Sequence, residues 1–369
     1  MYVTVVGGGT VGATVAGCFV EDHHVTVIDT SSRVVETIEN GHAPVDEPGL
    51  EELYGEVRGT TDMNAVEYSD VVFVCVPEDH AERVVHSIDV RTPHGFPVFM
   101  KSTVDVGTCR ELHENTGCYI ISNPEFLRDG SAVEDFQNPD RVVVGGPDTD
   151  LAFEFYDGRI VQTSWETAEL AKLACNSFLA TKLSYVNDVG NLAKETGADM
   201  RMVSTIMGMD DRIDDSFLGS GLGFGGPCLP KDAKKLDTRM ARMAVSINNT
   251  QPFAAMLELS EHITLDGATV AILGLAFKPG TSTDEGSQSY AMKKALELEG
   301  AKTVTHDPEV PSDVDDVTDA LENADAAVVC TAWPEYESLP AAAMRTPVVL
   351  DCRDAVKDIS GLEYTGLHW

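Results

Sequence analysis

The chain has 369 residues, and 61 Asp and Glu against 26 Lys and Arg give it a net charge of −35. That charge argues against nucleic acid or an anionic membrane as a partner held by bulk attraction. A hydrophobic content of 43% with 24% charged residues fits a folded globular protein, and the length predicts two or three domains.

The acidic excess is spread along the chain instead of forming a tail. This suits a halophilic cytosol, where screening shortens to about 3 Å, although a merely acidic protein of ordinary habitat has the same signature. The eight cysteines stand at 18, 75, 109, 118, 175, 228, 330 and 352, without CxxC or metal-ligand spacing, so neither a zinc site nor a disulfide framework is signalled. No apolar run approaches the roughly 18 residues of a membrane helix, and no signal peptide precedes the first expected strand. A cytoplasmic protein is therefore expected.

Residues 2–6 form a β-branched run that reads as a buried strand. The run enters Gly7-Gly8-Gly9-Thr10-Val11-Gly12, a helix rich in Ala and Val follows towards Glu21, and a second strand over 25–28 ends at Asp29. This is GxGxxG between a strand and a helix, with an acid 20 residues beyond Gly9. Gly7, Gly9 and Gly12 make the turn and admit a pyrophosphate, Thr10 and Val11 open the helix that faces it, and Asp29 is placed for a ribose 2′-hydroxyl. The expected cofactor is NAD rather than NADP. Arg33 is either near the adenosine or an exposed helix arginine.

Further strands are expected over 71–76, 98–100, 119–121 and 141–146. Thr103 and Glu125 fall just past strand ends, where doubly wound sheets bind ligands, though caps and turns use the same residue types. Thr163-Ser164-Trp165-Glu166 has capping-box spacing. From there to Glu195 the one helix-weakening residue is Gly190, with Gly197 as the stop. The spacing predicts a helix of about 30 residues, roughly 45 Å long. Lys172 and Asn176 share one face of it as i, i+4 neighbours. A lysine and an amide so placed either hold an oxyanion jointly or are simply solvated; the small residues Ala168, Ala171, Ala174 and Cys175 beside them indicate tight packing.

Helical segments are expected over 200–209 and from Asp232 through Arg239 to Leu265. Between them lies Gly223-Phe224-Gly225-Gly226-Pro227-Cys228-Leu229-Pro230-Lys231-Asp232. It is either a glycine-rich surface loop with an inert cysteine or a turn that presents Cys228 as a nucleophile. A second α/β pattern opens at Ala268, with strands over 269–273, 303–305, 326–330 and 348–350 and a helix over 290–299. It lacks GxGxxG, and Lys278 just past its first strand is a candidate for a phosphate or a substrate hydroxyl. The expected fold class is α/β, with two Rossmann-like doubly wound domains joined by a long central helix and a helical middle domain.

GGGTVG with Asp29, Glu47-Pro48-Gly49-Leu50, Ser102-Thr103-Val104, NPEFLRDGSA from Asn123, AELAKLACN from Ala168, GFGGPCLPKD from Gly223 and GLAFKP from Gly274 stand in one order. Together they resemble the nucleotide-sugar 6-dehydrogenases (the UDP-glucose/GDP-mannose dehydrogenase family) over nearly the whole chain. The resemblance implies an NAD-binding domain over 1–162, a helical domain for dimerisation and catalysis over 163–265, and a nucleotide-sugar-binding domain over 266–369. It implies Cys228 as nucleophile, and Lys172 with Asn176 as the pair that stabilises oxyanions and positions the sugar. Asp232 works with a water in proton transfer, and Thr103 and Glu125 organise or activate water. Glu125, Phe126, Leu127, Arg128, Lys278, Phe217, Leu218, Gly223, Phe224, Gly225 and Gly226 are implied substrate contacts, Thr103 and Lys231 further NAD contacts. Arg239 matches an arginine that reaches the partner subunit's substrate.

The implied reaction is a four-electron oxidation of a primary alcohol to a carboxylate with two NAD, on UDP-glucose first and GDP-mannose second. Three departures stand out: Pro227 replaces a serine, Val76-Pro77-Glu78-Asp79 lacks an NAD-contacting threonine, and Glu285 replaces an arginine that helps hold NAD. A nucleotide-sugar-binding protein without turnover and a two-electron hydroxyacid dehydrogenase are the readings of other classes. The small-residue face of the long helix predicts a homodimer through the helical middle.

Overall fold

The computed structural model describes Met1–Trp369. The chain forms two compact units, Met1–Leu173 and Ala174–Trp369, and the division falls inside a helix that runs without interruption over Trp165–Thr196.

The first unit is built on an eight-stranded sheet. Its strands are β1 (Tyr2–Val6), β2 (His24–Ile28), β3 (Arg58–Thr60), β4 (Val71–Val74), β5 (Phe96–Met100), β6 (Cys118–Ser122), β7 (Val142–Gly145) and β8 (Ile160–Thr163), in the order β3-β2-β1-β4-β5-β6-β7-β8. From β3 to β6 every pairing is parallel, and β7 joins β6 antiparallel through Ser122 and Gly145. Parallel strands are covered on both faces, so they read as unbroken apolar runs; all four residues of β4, Val-Val-Phe-Val, are buried. Phe73 and Phe99 stack at 4.7 Å between ring centroids, and each fully buried ring stabilises the unit by roughly 1.5–3 kcal/mol. The strand order reverses between β1 and β4, which makes the carboxyl ends of those strands the ligand crevice of such a sheet.

The second unit carries a five-stranded parallel sheet, β9 (Thr269–Leu273), β10 (Lys302–His306), β11 (Ala326–Val329), β12 (Val348–Asp351) and β13 (Glu363–Gly366), in the order β10-β9-β11-β12-β13. Helices Met200–Gly208, Leu229–Leu236 and Arg239–Ser260 precede it.

Three expectations need correction. The long helix is capped by Ser164, whose Oγ accepts from Thr167 N at 3.3 Å, and Glu166 pairs with Arg110 instead of closing a capping box. The helix expected from Asp232 to Leu265 is two helices, because Asp237 takes a left-handed conformation (φ +46°) and Thr238 caps a new helix by accepting from Ala241 N. That second helix contains Pro252 and still continues to Ser260. The strands β3, β8 and β13 were not foreseen: β3 and β13 are sheet edges, β8 ends the first sheet, and Arg-Gly-Thr, Ile-Val-Gln-Thr and Glu-Tyr-Thr-Gly lack the apolar run of a covered strand.

Candidate active site

The turn after β1 is set by contact as well as by conformation. Gly7 has φ +102°, and a Cβ there would sit 2.5 Å from Cys75 O; a Cβ on Gly12 would sit 1.9 Å from Gly7 O. Only glycine lets β1, the helix Thr10–Phe19 and the end of β4 close to this distance. Gly9 is exposed, and a Cβ there would meet nothing within 4 Å, so this side of the turn is open.

Gly9 caps the helix without a side-chain acceptor, and the first turn holds no acid. The amides of Thr10 and Val11 therefore present the positive end of the helix to an anion. Asp29 accepts Gly8 N at 2.7 Å and Ser31 N at 2.8 Å, which fixes its carboxylate and leaves a lone pair on each oxygen for a ribose hydroxyl. Arg33 is exposed on the helix Ser32–Glu39. Turn, helix end and acid all fit a dinucleotide.

Beyond β5 and β6 in the same unit, the expected residues meet in one case. Glu125 and Lys172 are both buried and form an ion pair at 2.8 Å. Glu125 also accepts Leu127 N at 2.7 Å, which folds the 125–127 segment over its own carboxylate. The Lys172 ammonium lies 5.5 Å from the centroid of Phe126, and the Arg141 guanidinium is 4.1 Å from the same ring. Arg128 does not join this cluster; it is exposed and pairs with Asp135. Thr103 is half-buried in the loop after β5.

One turn along the helix from Lys172, Asn176 donates to the buried carboxylate of Asp232 at 2.6 Å, and Lys231 pairs with the other oxygen. Asp232 N donates to Cys228 O at 2.9 Å, so Cys228 occupies the N-cap of Leu229–Leu236 with Asp232 one turn behind it. Cys228 alone among the eight cysteines is exposed. Pro227 is exposed as well and precedes the cap, a position that needs no helical N–H.

The glycine stretch before Cys228 is clamped. Gly223 has φ +106° and Gly226 φ +83°, and a Cβ on Gly226 would touch the Phe277 ring at 2.9 Å. Phe224 exchanges two hydrogen bonds with the buried side chain of Asn248, and Gly226 N donates to Glu285 O at 2.8 Å. Glu285 thus serves this loop through its backbone. The Lys278 ammonium lies 5.6 Å from the Phe277 ring, beside the same loop. Leu218 is buried, Phe217 is exposed with φ +62°, and Arg239 is exposed at the start of its helix.

Residues 1–157 match the NAD-binding domain of the UDP-glucose/GDP-mannose dehydrogenase family, 166–256 its central domain and 271–358 its UDP-binding domain. The chain belongs to this family. As a family member it is an NAD-dependent nucleotide-sugar dehydrogenase. It is 35% identical to the UDP-glucose 6-dehydrogenase of Haloferax volcanii, with all of both chains covered. Among solved structures, a UDP-glucose dehydrogenase from Pyrobaculum islandicum superposes with a TM-score of 0.89 at 31% identity, covering 100% of this chain and 98% of that one. A UDP-D-ManNAc dehydrogenase from Pyrococcus horikoshii gives 0.93 at 26% identity, covering 100% and 99%.

Sequence reasoning missed two members of this dehydrogenase's loop clamp. Arg353, just past β12, donates to Gly223 O at 2.8 Å and Cys330 O at 2.9 Å, and Asn248 holds Phe224. Arg353 was detectable by the rule that singled out Lys278, a cation directly beyond a strand; Asn248 carried no such signal. In the second sheet, Asp307 follows β10 as Asp29 follows β2. Its carboxylate is taken up by Leu275 N, Ala276 N, Glu309 N, Val310 N and the Trp333 indole, so it ties the sheet's loops together.

Proposed function

We propose that this dehydrogenase oxidises UDP-glucose to UDP-glucuronate through a covalent intermediate on Cys228. The observation that carries the reading is the exposed thiol at a helix N-cap, with the buried Asp232–Asn176 pair one turn behind it. NAD, when bound at the Gly7–Gly12 turn, supplies the hydride acceptor for both oxidations.

The remaining chemistry belongs to side chains. Lys172 and Asn176 stand one helical turn apart and stabilise the negative charge that develops on the C6 oxygen. Cys228, at the N-cap of Leu229–Leu236, is the nucleophile and acts as its thiolate. That thiolate adds to the C6 aldehyde, forming a C–S bond, and loss of a second hydride leaves a thioester. Water then attacks the carbonyl, the C–S bond breaks, and the carboxylate and thiol are released. Asp232 works with a water to move protons in these steps, and Thr103 and Glu125 organise and activate the hydrolytic water. Phe126, Leu127, Arg128, Phe217, Leu218, Gly223–226 and Lys278 form the substrate contacts of the proposal, and Arg239 is the arm towards a second subunit.

The similarity to the Haloferax volcanii enzyme supports glucose as the sugar, while the Pyrococcus horikoshii structure favours an N-acetylated sugar as the second reading. Incubation of the protein and NAD with UDP-glucose, GDP-mannose and UDP-ManNAc in turn decides between them. UDP-glucose is expected to give the fastest NADH formation by at least tenfold; turnover of another sugar alone would overturn the choice.

We also infer a homodimer, with functional domains over 1–162, 163–265 and 266–369. Phe178, Tyr185 and Leu192 repeat at seven-residue spacing on the long helix and are exposed. A groove in the second unit is lined by Phe178, Tyr185, Met240, Met243 and Ile247. An apolar stripe of this kind suits its own symmetry mate.

A further inference from the structure

Lys101 follows β5 and is 4% exposed. Its ammonium donates to Asn123 Oδ1 at 3.3 Å and Tyr156 OH at 3.4 Å, and it lies 5.8 Å and 5.5 Å from the ring centroids of Phe136 and Tyr156. Tyr156 OH donates to Asn123 Oδ1 at 2.6 Å, and Asn123 Nδ2 donates to Val143 O at 2.9 Å. An ammonium taken out of water onto neutral acceptors carries a desolvation penalty that an apolar side chain does not. Asn123 lies two residues before Glu125, so Lys101 and Tyr156 together fix the stem of the segment that holds Glu125 against Lys172.

The groups that face Lys101 come from every element around it: Cys75 beyond β4, Glu125 beyond β6, Tyr156, and Lys172 on the long helix. Burial holds Cys75 and Tyr156 neutral, pushing the Cys75 thiol up to about 12 and the Tyr156 phenol well above its usual range. Burial also pushes the Lys101 ammonium down to about 8, with Cys75 and Glu125 acting to retain its proton and Lys172 acting against it.

We propose that Lys101 is a positioning residue for the Glu125–Lys172 pair, holding the 123–125 segment through Asn123 so that the carboxylate stays against the ammonium. Without Lys101, Asn123 loses a donor at its side-chain oxygen, and the segment that carries Glu125 loses its stem. The inference rests on the roles proposed above for Glu125 and Lys172.

The test uses the full-length protein labelled with 13C at lysine Cε, its Lys101 and Lys172 resonances assigned from Lys101→Met and Lys172→Met. Lys101→Met is expected to move the Lys172 signal from its wild-type position at fixed pH, because the carboxylate beside it is displaced, and Lys101→Arg is expected to return it. In turnover, Lys101→Met is expected to lower kcat at least tenfold with KM unchanged, while Lys101→Arg restores it.

A Lys172 signal unmoved by Lys101→Met, or a wild-type kcat in a merely less stable variant, overturns the proposal and leaves Lys101 a structural residue. The lysine spectra are read without turnover. A protein without activity on any nucleotide sugar therefore refutes the functional reading alone.

Discussion

Each ionisable group proposed for chemistry inside the protein is held by a partner of opposite charge or by an amide. Glu125 at 9% and Lys172 at 3% exposure have little water to compensate a lost partner. Glu125→Gln leaves the Lys172 ammonium buried without its carboxylate, and the expected loss is about 3–5 kcal/mol of unfolding free energy, read from urea denaturation at fixed salt. The sequence made Glu125 and Lys172 visible for different reasons, one as a residue past a strand end and the other as half of an i, i+4 pair. Their pairing was not legible, because it joins residues far apart in the chain through a fold that no local pattern encodes. From its own stretch Cys228 was legible only as an alternative between loop and nucleophile, and the family resemblance made the choice. Its exposure, against seven cysteines that are buried or partly so, is a tertiary fact.

At the scale of elements, the long helix was the most legible feature, since the absence of proline, a single interior glycine and a glycine stop all agree on it. Its single weak point has a packing reason. A Cβ on Gly190 would lie 2.6 Å from His368 Nδ1, so the glycine makes room for a buried imidazole. His368 lies 3.1 Å from Asn191 Oδ1 through Nε2, which makes the Nε2–H tautomer the donor. Burial, followed by the nearby Lys194 charge, pushes the His368 imidazole down from its ordinary 6.5 to about 4.

The sign follows from the neutral form being the folded one. This contribution is complete above pH 6.5 and is lost as pH falls towards 4, because the unfolded chain takes up the proton first. Up to about 3 kcal/mol is expected to disappear across that window, and His368→Phe should flatten that part of the stability curve measured by urea titrations at successive pH values. The edge strands and the break at Asp237 escaped the sequence reading for a common reason. Polar edges and left-handed aspartates are chosen by their surroundings, and their residue types occur as readily in loops.

For the whole molecule, the halophilic reading rests on a charge of −35 on 369 residues. Self-repulsion of this size is screened at molar salt and acts over longer range in dilute buffer. The thermal midpoint is expected to rise by at least 10 °C between 0.1 M and 3 M KCl, and an unchanged midpoint would contradict the halophilic reading. The proposed dimer is tested in the same high-salt buffer. Light scattering is expected to give twice the 39.7 kDa chain mass, and Phe178→Glu combined with Met243→Glu is expected to reduce it to one chain.

The central claim is that one protein carries the C6 alcohol through two oxidations by way of Cys228. The most direct measurement is the number of NADH formed per UDP-glucose consumed, with the product analysed for aldehyde and acid. The account predicts two NADH and one uronate for the wild type, and a fall of at least a hundredfold in uronate formation for Cys228→Ser. One NADH per sugar with released aldehyde, or a Cys228→Ser variant that forms the acid at the wild-type rate, would contradict it.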